Sequence, residues 1–427
     1  MQEILYLLNQ QLWGNGLVIL LLGTGLFCLS LGNFAPFRSI RNFSHHQNQT
    51  AGKHTPFQAC MTSLGAAMGT GNIIGVATAL TLGGAGAIFW MWVSALMGIG
   101  LIYAENVLSS IWKDEEYSGA IAYIRQGLKS PVLSGVFAVC CVGASFGMGN
   151  MTQSHAMAET LQASFRISPY ISGAFTAILT GIVIFGGAER IGKFSGVIVP
   201  VLSGVYLLTA MIVIVRFHAN VGAVFVQIFH EAFGKYAVTG GISGYAVKHT
   251  VSVGVRRGIF SNEAGLGSSG ILHSETDESP EFMGVCGMLE VIADTFICCT
   301  VTALTILCTG VTGADGGELV LMAFRAGIGK MADWILPPII ALFALCTLIG
   351  WSFCGACAFR SLTKGKYLQI YQAIFCIAVF VGAVAKMQTV WTLADIANAC
   401  MAYCNIPAIL LLYPFTVTKR KKFNNHE

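Results

Sequence analysis

The sequence predicts an all-α integral membrane protein of about eleven transmembrane helices, and three observations carry that reading. The first is composition: of 427 residues only 10% are charged and 55% are hydrophobic, with a mean hydropathy of +0.70. Soluble domains carry about 25% charged residues. The second is the pattern of long apolar runs separated by short loops. Alternating ten-residue segments are missing, which argues against an outer-membrane barrel. The third is a pair of polar, glycine-rich interruptions inside membrane-length runs. Irregular backbone survives in a bilayer only where protein or an aqueous cavity satisfies it.

The spans follow in order. Residues 14–36 are a first apolar run. Residues 57–83 form a second, interrupted by Gly69-Thr70-Gly71-Asn72. Further runs cover 85–112, 131–162, 169–188 and 194–217. The span at 240–272 is the least hydrophobic, because it carries Lys248, Arg256 and Arg257. Near its end stands the second interruption, Ser261-Asn262-Glu263-Ala264-Gly265-Leu266-Gly267-Ser268. Runs at 281–311, 334–361, 367–386 and 390–415 complete the set. Residues 1–13 lack a basic start, so no cleavable signal peptide is expected. The fifty glycines suit close helix packing. The fourteen cysteines, Cys140-Cys141 and Cys298-Cys299 among them, fall mostly inside apolar runs. They read as packing residues rather than a disulfide framework or a zinc site. The net charge of +4 gives no reason to expect nucleic acid as a partner; the expected surroundings are a lipid bilayer.

Basic residues set the expected orientation. The loops at 38–53, 113–129, 190–193 and 360–366 and the tail at 419–422 carry fifteen Lys and Arg, against six in the opposite loops. The richer side is expected to be cytoplasmic, with the N-terminus outside, the C-terminus inside and the chain in a cell inner membrane. The acidic stretch Glu275, Asp277, Glu278 and Glu281 falls on that side too, but acids weigh little in this rule. Spans two to six and seven to eleven are two sets of five, and an odd number makes the second set insert upside down. The expected divisions are an accessory helix and loop at 1–56, one inverted repeat at 57–239, a second at 240–415 and a basic tail at 416–427. Each repeat begins with a broken helix, a pointer to a secondary-transporter binding site.

The residues also carry a family likeness. Gly69 through Ala79, Phe89-Trp90-Met91-Trp92-Val93, Phe146 through Met151, Phe260 through Ser268, Gly350-Trp351-Ser352 and Leu393 through Ile396 make the chain resemble the alanine or glycine:cation symporters, the sodium:alanine symporter family. The resemblance runs through nearly the whole chain. It implies a LeuT-type fold of two inverted five-helix units, with broken helices in spans two and seven and an extra N-terminal helix. Ala356 departs from the family, which commonly has an acid there, as does Ser268 through His273, where Pro and Ala are usual.

The site chemistry follows from the breaks. A zwitterionic amino acid needs donors for its carboxylate and acceptors for its ammonium, and the half-helix ends of an unwound span supply both. Candidate substrate contacts are Gly69, Thr70, Gly71, Asn72, Phe260, Ser261, Asn262 and Gly265. Span four adds Asn150 and Gln153. Span nine adds Thr347 and Trp351, one turn apart on a face that, by resemblance, borders the substrate side chain. A sodium ion prefers oxygen ligands; Gly69, Asn72, Ser261, Asn262 and Ser352 are the candidates. Glu105, Glu290, Asp294 and Asp395 lie within or near spans three, eight and eleven. They need partners at membrane depth, and Lys248, Arg256 and Arg257 are those expected. His45, His46 and His54 share a loop without ligand-like spacing. The expected function is sodium-coupled symport of a small neutral amino acid, alanine or glycine, by alternating access and without an organic cofactor. The alternatives are proton-coupled transport of another neutral amino acid such as serine or glutamine and, more remotely, a membrane-embedded enzyme. No Ser/His/Asp or His-x-x-His set supports the last.

Overall fold

The computed structural model describes residues 2–43, 55–114, 116–233, 242–274, 276–385 and 388–424, and these residues form helices and no strand. The loop histidines at 45, 46 and 54 lie outside the described residues, as do Lys53, Lys235, Glu275 and Lys386.

Span one is preceded by its own helix: α1 (Gln2–Leu12) leads into α2 (Asn15–Leu31). A short α3 (Ala35–Phe43) follows. Span two is α4 (Pro56–Ala67) and α5 (Ile74–Gly83), bent by 58° at the first interruption. A capping box opens α4: the Thr55 hydroxyl accepts from the Gln58 N–H, the Gln58 side chain accepts from the Thr55 N–H, and Pro56 fills a position that has no N–H to satisfy. Next come α6 (Gly86–Trp112), the one-turn α7 (Gly119–Ala122), and α8 (Pro131–Phe146) with α9 (Thr152–Phe165), joined through a wide π-type turn at Gly147–Met151. α10 (Pro169–Ile184), α11 (Gly187–Arg216) and α12 (His218–Ala232) end the first half.

Span seven is α13 (Ile242–Asn262) and the short α14 (Ser268–Leu272). α15 (Pro280–Val291) passes through a second wide turn, Ile292–Cys299, into α16 (Thr300–Thr309). Then come α17 (Gly316–Ile328), α18 (Ala332–Thr363), α19 (Leu368–Val384) and α20 (Gln388–Asn424). Among the described residues the predicted spans are helical apart from the interruptions, and seven helices, or eight with the bent pair as one, are long and apolar enough to cross a membrane. The sequence reading missed α1, α3, α7, α12 and α17, because a window of membrane length passes over short helices. α17 carries a local signal: the Asp315 carboxylate accepts from the Gly316 N–H at 2.6 Å.

Packing is that of helices in lipid. α10 exposes Ile171, Phe175, Ile178 and Ile182 and buries Ser172, Thr176 and Thr180. Large apolar side chains face outward at helical spacing, and small polar ones let the helices approach. Inside, α6 lies along α2, α13 and α15, while α18 lies along α4, α8, α9 and α11. The two breaks lie where these groups meet.

Candidate functional site: the meeting of two broken helices

The first break is tight. After α4 the chain turns at Gly69 and makes a single 3-10 turn over Thr70–Asn72. A Cβ on Gly69 would stand 2.5 Å from Thr347 Oγ1 and 3.1 Å from Gln153 Oε1. Only glycine admits that approach. The Gln153 side-chain oxygen accepts from the Thr70 N–H at 3.3 Å and the Thr70 hydroxyl at 2.9 Å. The Thr347 hydroxyl donates to the Gly65 carbonyl at 3.1 Å, one of the carbonyls that the end of α4 leaves free. Thus α9 and α18 hold the break open on one side.

The second break is longer. Glu263, Gly265 and Gly267 all take left-handed backbone, with φ of 56°, 92° and 81°. The unwound segment finds its partners in side chains. Ala264 N–H donates to Asn262 Oδ1 at 3.1 Å, and Gly267 N–H donates to Glu105 Oε1 at 3.1 Å. Asn405 Nδ2 donates to the Gly265 carbonyl at 3.0 Å and to Glu105 Oε1 at 2.6 Å. Glu263 accepts from the Trp351 indole N–H and from the Ser268 hydroxyl, both at 2.7 Å. A bilayer-depth break is satisfied here by protein rather than by water.

The two breaks touch. A Cβ on Gly71 would lie 3.6 Å from the Phe260 ring and 3.9 Å from Ser261 Cα. Asp294, in the wide turn of span eight, joins them. Its carboxylate accepts from Asn72 Nδ2 at 2.6 Å, Ser261 Oγ at 2.8 Å and Thr295 Oγ1 at 2.8 Å. Asn262 Nδ2 in turn donates to Thr295 Oγ1 at 3.3 Å. Asp294 is fully buried, and Asn72 Oδ1 is buried without a hydrogen-bond partner.

The structure therefore gathers Gly69, Thr70, Gly71, Asn72, Gln153, Phe260, Ser261, Asn262 and Thr347. Gly265 and Trp351 sit at the far side of the second break, on Asn405 and Glu263. Two predicted residues point elsewhere: Asn150 Nδ2 donates to the Phe375 carbonyl at 2.8 Å, and Ser352 gives its hydroxyl proton to Ile349 O at 2.6 Å. The sequence reading missed Asp294, Thr295, Glu263, Glu105 and Asn405 as members of this constellation. The signal was present in Glu105 and Asp294, two of the four membrane-depth carboxylates for which cationic partners were expected. Among the described residues, Asp395 lies near two of those cations: with Arg256, Arg257, Asn9, Trp13, Phe260 and Trp391 it lines a cavity of about 210 Å³. Phe260 stacks on Trp391 at 6.4 Å and stands between that cavity and the breaks.

The chain and its fold have counterparts among known proteins. A profile of the sodium:alanine symporter family matches residues 1–427. The chain belongs to that family. It is 37% identical to the sodium/alanine symporter AgcS of Methanococcus maripaludis, with 97% of this chain and 96% of AgcS covered. It is 33% identical to a Bacillus subtilis protein named "Probable sodium/glutamine symporter GlnT", covering 100% of this chain and 91% of that one. Among solved structures, MhsT in complex with L-phenylalanine superposes with a TM-score of 0.62 at 14% identity, covering 83% of this chain and 88% of MhsT. That likeness fixes the fold as LeuT-type. The chain is a multi-span membrane transporter of the secondary class, not an enzyme. In such a transporter the breaks are the parts of the backbone free to meet a substrate.

Proposed function

We propose that this transporter couples sodium entry to uptake of a small neutral amino acid, alanine or glycine, by alternating access. The observation that carries the reading is the bridging of both breaks by one carboxylate, Asp294. Asn72 Oδ1, Asp294, Ser261 Oγ and the Gly69 carbonyl are hard oxygen donors on three elements that meet, the class of ligand a hard cation takes. A cation there offsets the cost of a buried carboxylate and draws span two toward spans seven and eight. The amino acid sits beside it. The first turn of α5 offers N–H groups to the substrate carboxylate, and the last turn of α13 offers carbonyls to the ammonium. Thr347 and Gln153 border the first break so closely that no Cβ fits at Gly69, a tightness that favours alanine or glycine over glutamine.

Coupling is a population shift: sodium must bind the substrate-competent state more tightly than the other, since equal affinity shifts nothing. One sodium entering down about 100 mV supplies about 2.3 kcal/mol, enough for tens-fold accumulation. The repeats at 57–239 and 240–415 are the rocking units of this mechanism. Basic loops place the N-terminus outside and the C-terminus in the cytoplasm of a cell inner membrane. Labelled L-alanine uptake into proteoliposomes tests the reading. An inward sodium gradient is expected to drive uptake, with glycine competing and Asn262→Ala losing it. Uptake driven by a proton gradient alone overturns the coupling ion. Uptake of glutamine but not alanine overturns the substrate.

A further inference from the structure

Beyond the second break, a different set of side chains converges. Cys60 on α4, His273 just after α14 and Cys286 on α15 bring two sulfurs and an imidazole nitrogen within 4.8 Å of one another. His273 Nδ1 lies 2.9 Å from the Ser269 carbonyl. A carbonyl only accepts, so Nδ1 carries the proton and Nε2 is left facing Glu290 Oε1, at 2.9 Å. Neither Nε2 nor Oε1 makes a hydrogen bond, and both are buried. With the proton on Nδ1, Nε2 keeps the lone pair that a metal ion takes. Glu290 is held in place by its other oxygen, which accepts from Ser63 at 2.8 Å and Ser269 at 3.1 Å.

We propose that Cys60, His273 and Cys286 bind a soft divalent cation of the zinc class, with Glu290 standing beside His273. Two sulfurs and one imidazole nitrogen are three of the four donors of a tetrahedral zinc site, which leaves one position for water or a neighbouring carboxylate. Zinc–sulfur bonds of about 2.3 Å and zinc–nitrogen bonds of about 2.0 Å place neighbouring donors roughly 3.5 Å apart. The cluster reaches that spacing with about 1 Å of closure. The Nδ1–H bond to a backbone carbonyl is the support that orients a metal-bound histidine and leaves Nε2 free. On binding, both S–H bonds break, two metal–sulfur bonds form, and two protons leave to water. Cys60 is partly buried, while Cys286 and His273 are buried. A plain histidine–carboxylate pair would not call for two thiols from two further helices.

The site joins α4, the segment after α14, and α15. Both half-helices at that end of the breaks are thereby tied together. On the alternating-access reading proposed above, a bound cation clamps that end shut; binding itself does not depend on that reading.

The test uses the full-length protein in detergent with its thiols reduced. Cadmium is titrated first, with the cadmium–thiolate charge-transfer absorption as readout, and zinc second, by competition with a chromophoric chelator. One cation per chain is expected, with the absorption lost in Cys60→Ser/Cys286→Ser. A folded wild type that takes up neither cation overturns the site, as does a double variant that keeps the absorption. Should the double variant not fold, peptide-resolved maleimide labelling of the wild type decides. Equimolar zinc is expected to slow Cys60 labelling at least tenfold, and an unchanged rate overturns the proposal. Zinc on the α4 side is also expected to slow sodium-driven uptake tenfold, reversed by chelator; binding with unslowed uptake overturns the clamp.

Discussion

The two broken helices solve one problem in different ways. The first break is a single 3-10 turn of neutral residues, closed over Gly69 by Thr347 and Gln153. The second is five residues long, uses three left-handed positions, and opens on Glu263. Its loose backbone groups are met by Glu105 and Asn405, residues 162 and 140 positions away in the chain from Gly267 and Gly265. The first break is thus shaped by sterics and the second by a buried polar network. Networks of that kind stand or fall together, because an unpaired member in low dielectric is costly.

The largest effect should come where the breaks are tied. Asp294→Asn keeps the size of the side chain but removes the charge that accepts from Asn72, Ser261 and Thr295. Sodium-driven uptake is expected to fall on the order of 100-fold, with the protein still folded, since each ten-fold loss is only about 1.4 kcal/mol of binding or barrier. Asp395→Asn, at the cavity, serves as the comparison and should lose far less. Equal losses in the two variants would mean that the bridge has no special role.

The steric break is tested next. Gly69→Ala places a methyl 2.5 Å from Thr347 Oγ1 and 3.1 Å from Gln153 Oε1, while at Gly75 a Cβ meets nothing within 4 Å. Uptake is expected to drop roughly tenfold or more for Gly69→Ala and to stay within about twofold for Gly75→Ala. Combining Gly69→Ala with Thr347→Ser, which removes the methyl but keeps the hydroxyl, should give no rescue. Combining it with Thr347→Ala should restore part of the rate. The reverse pattern would move the collision away from the hydroxyl.

The second break should show itself in stability. Gly267→Ala forces a side chain into left-handed backbone at a cost of about 1–2 kcal/mol, and its Cβ would lie 2.8 Å from that of Ala120. Gly310 has a similar φ of 69° but open space around it. Gly310→Ala is expected to carry only the backbone part, so thermal unfolding in detergent should rank Gly267→Ala below Gly310→Ala, and both below wild type.

Much of this was legible in the chain. Gly-Thr-Gly-Asn and Ser-Asn-Glu-Ala-Gly-Leu-Gly inside apolar runs betray irregular backbone, and they mark where the helices break. The expected partner residues were less legible for a physical reason. A buried carboxylate needs hydrogen-bond donors, and charge counting suggests Lys or Arg. Donors here are Asn, Ser, Thr and Trp, and Asn72, Trp351 and Asn405 come from spans far apart in sequence, which no local pattern reveals. Asn150 had the right composition and depth, but only the packing of α19 tells that its amide is committed to Phe375. The wide turns at Gly147–Met151 and Ile292–Cys299 were likewise invisible, although the second is what carries Asp294 to the breaks.

The smallest expected effect concerns the link between the second break and α18. Trp351→Phe keeps most of the ring but removes the N–H that Glu263 accepts at 2.7 Å. Ser268 still donates to the other carboxylate oxygen, so the network loses one of two contacts rather than collapsing. An unmade bond to a buried charged group costs about 1–3 kcal/mol, and partial relaxation puts the effect near the low end. A roughly five- to tenfold fall in kcat/KM for alanine uptake is expected. If the indole contributes only bulk, Trp351→Phe will behave as wild type and Trp351→Leu will not. If the hydrogen bond is what positions the break, the two variants will lose similar amounts. Comparing them separates a wall of the pocket from a strut of the network, and so decides whether the second break answers to sterics as the first one does.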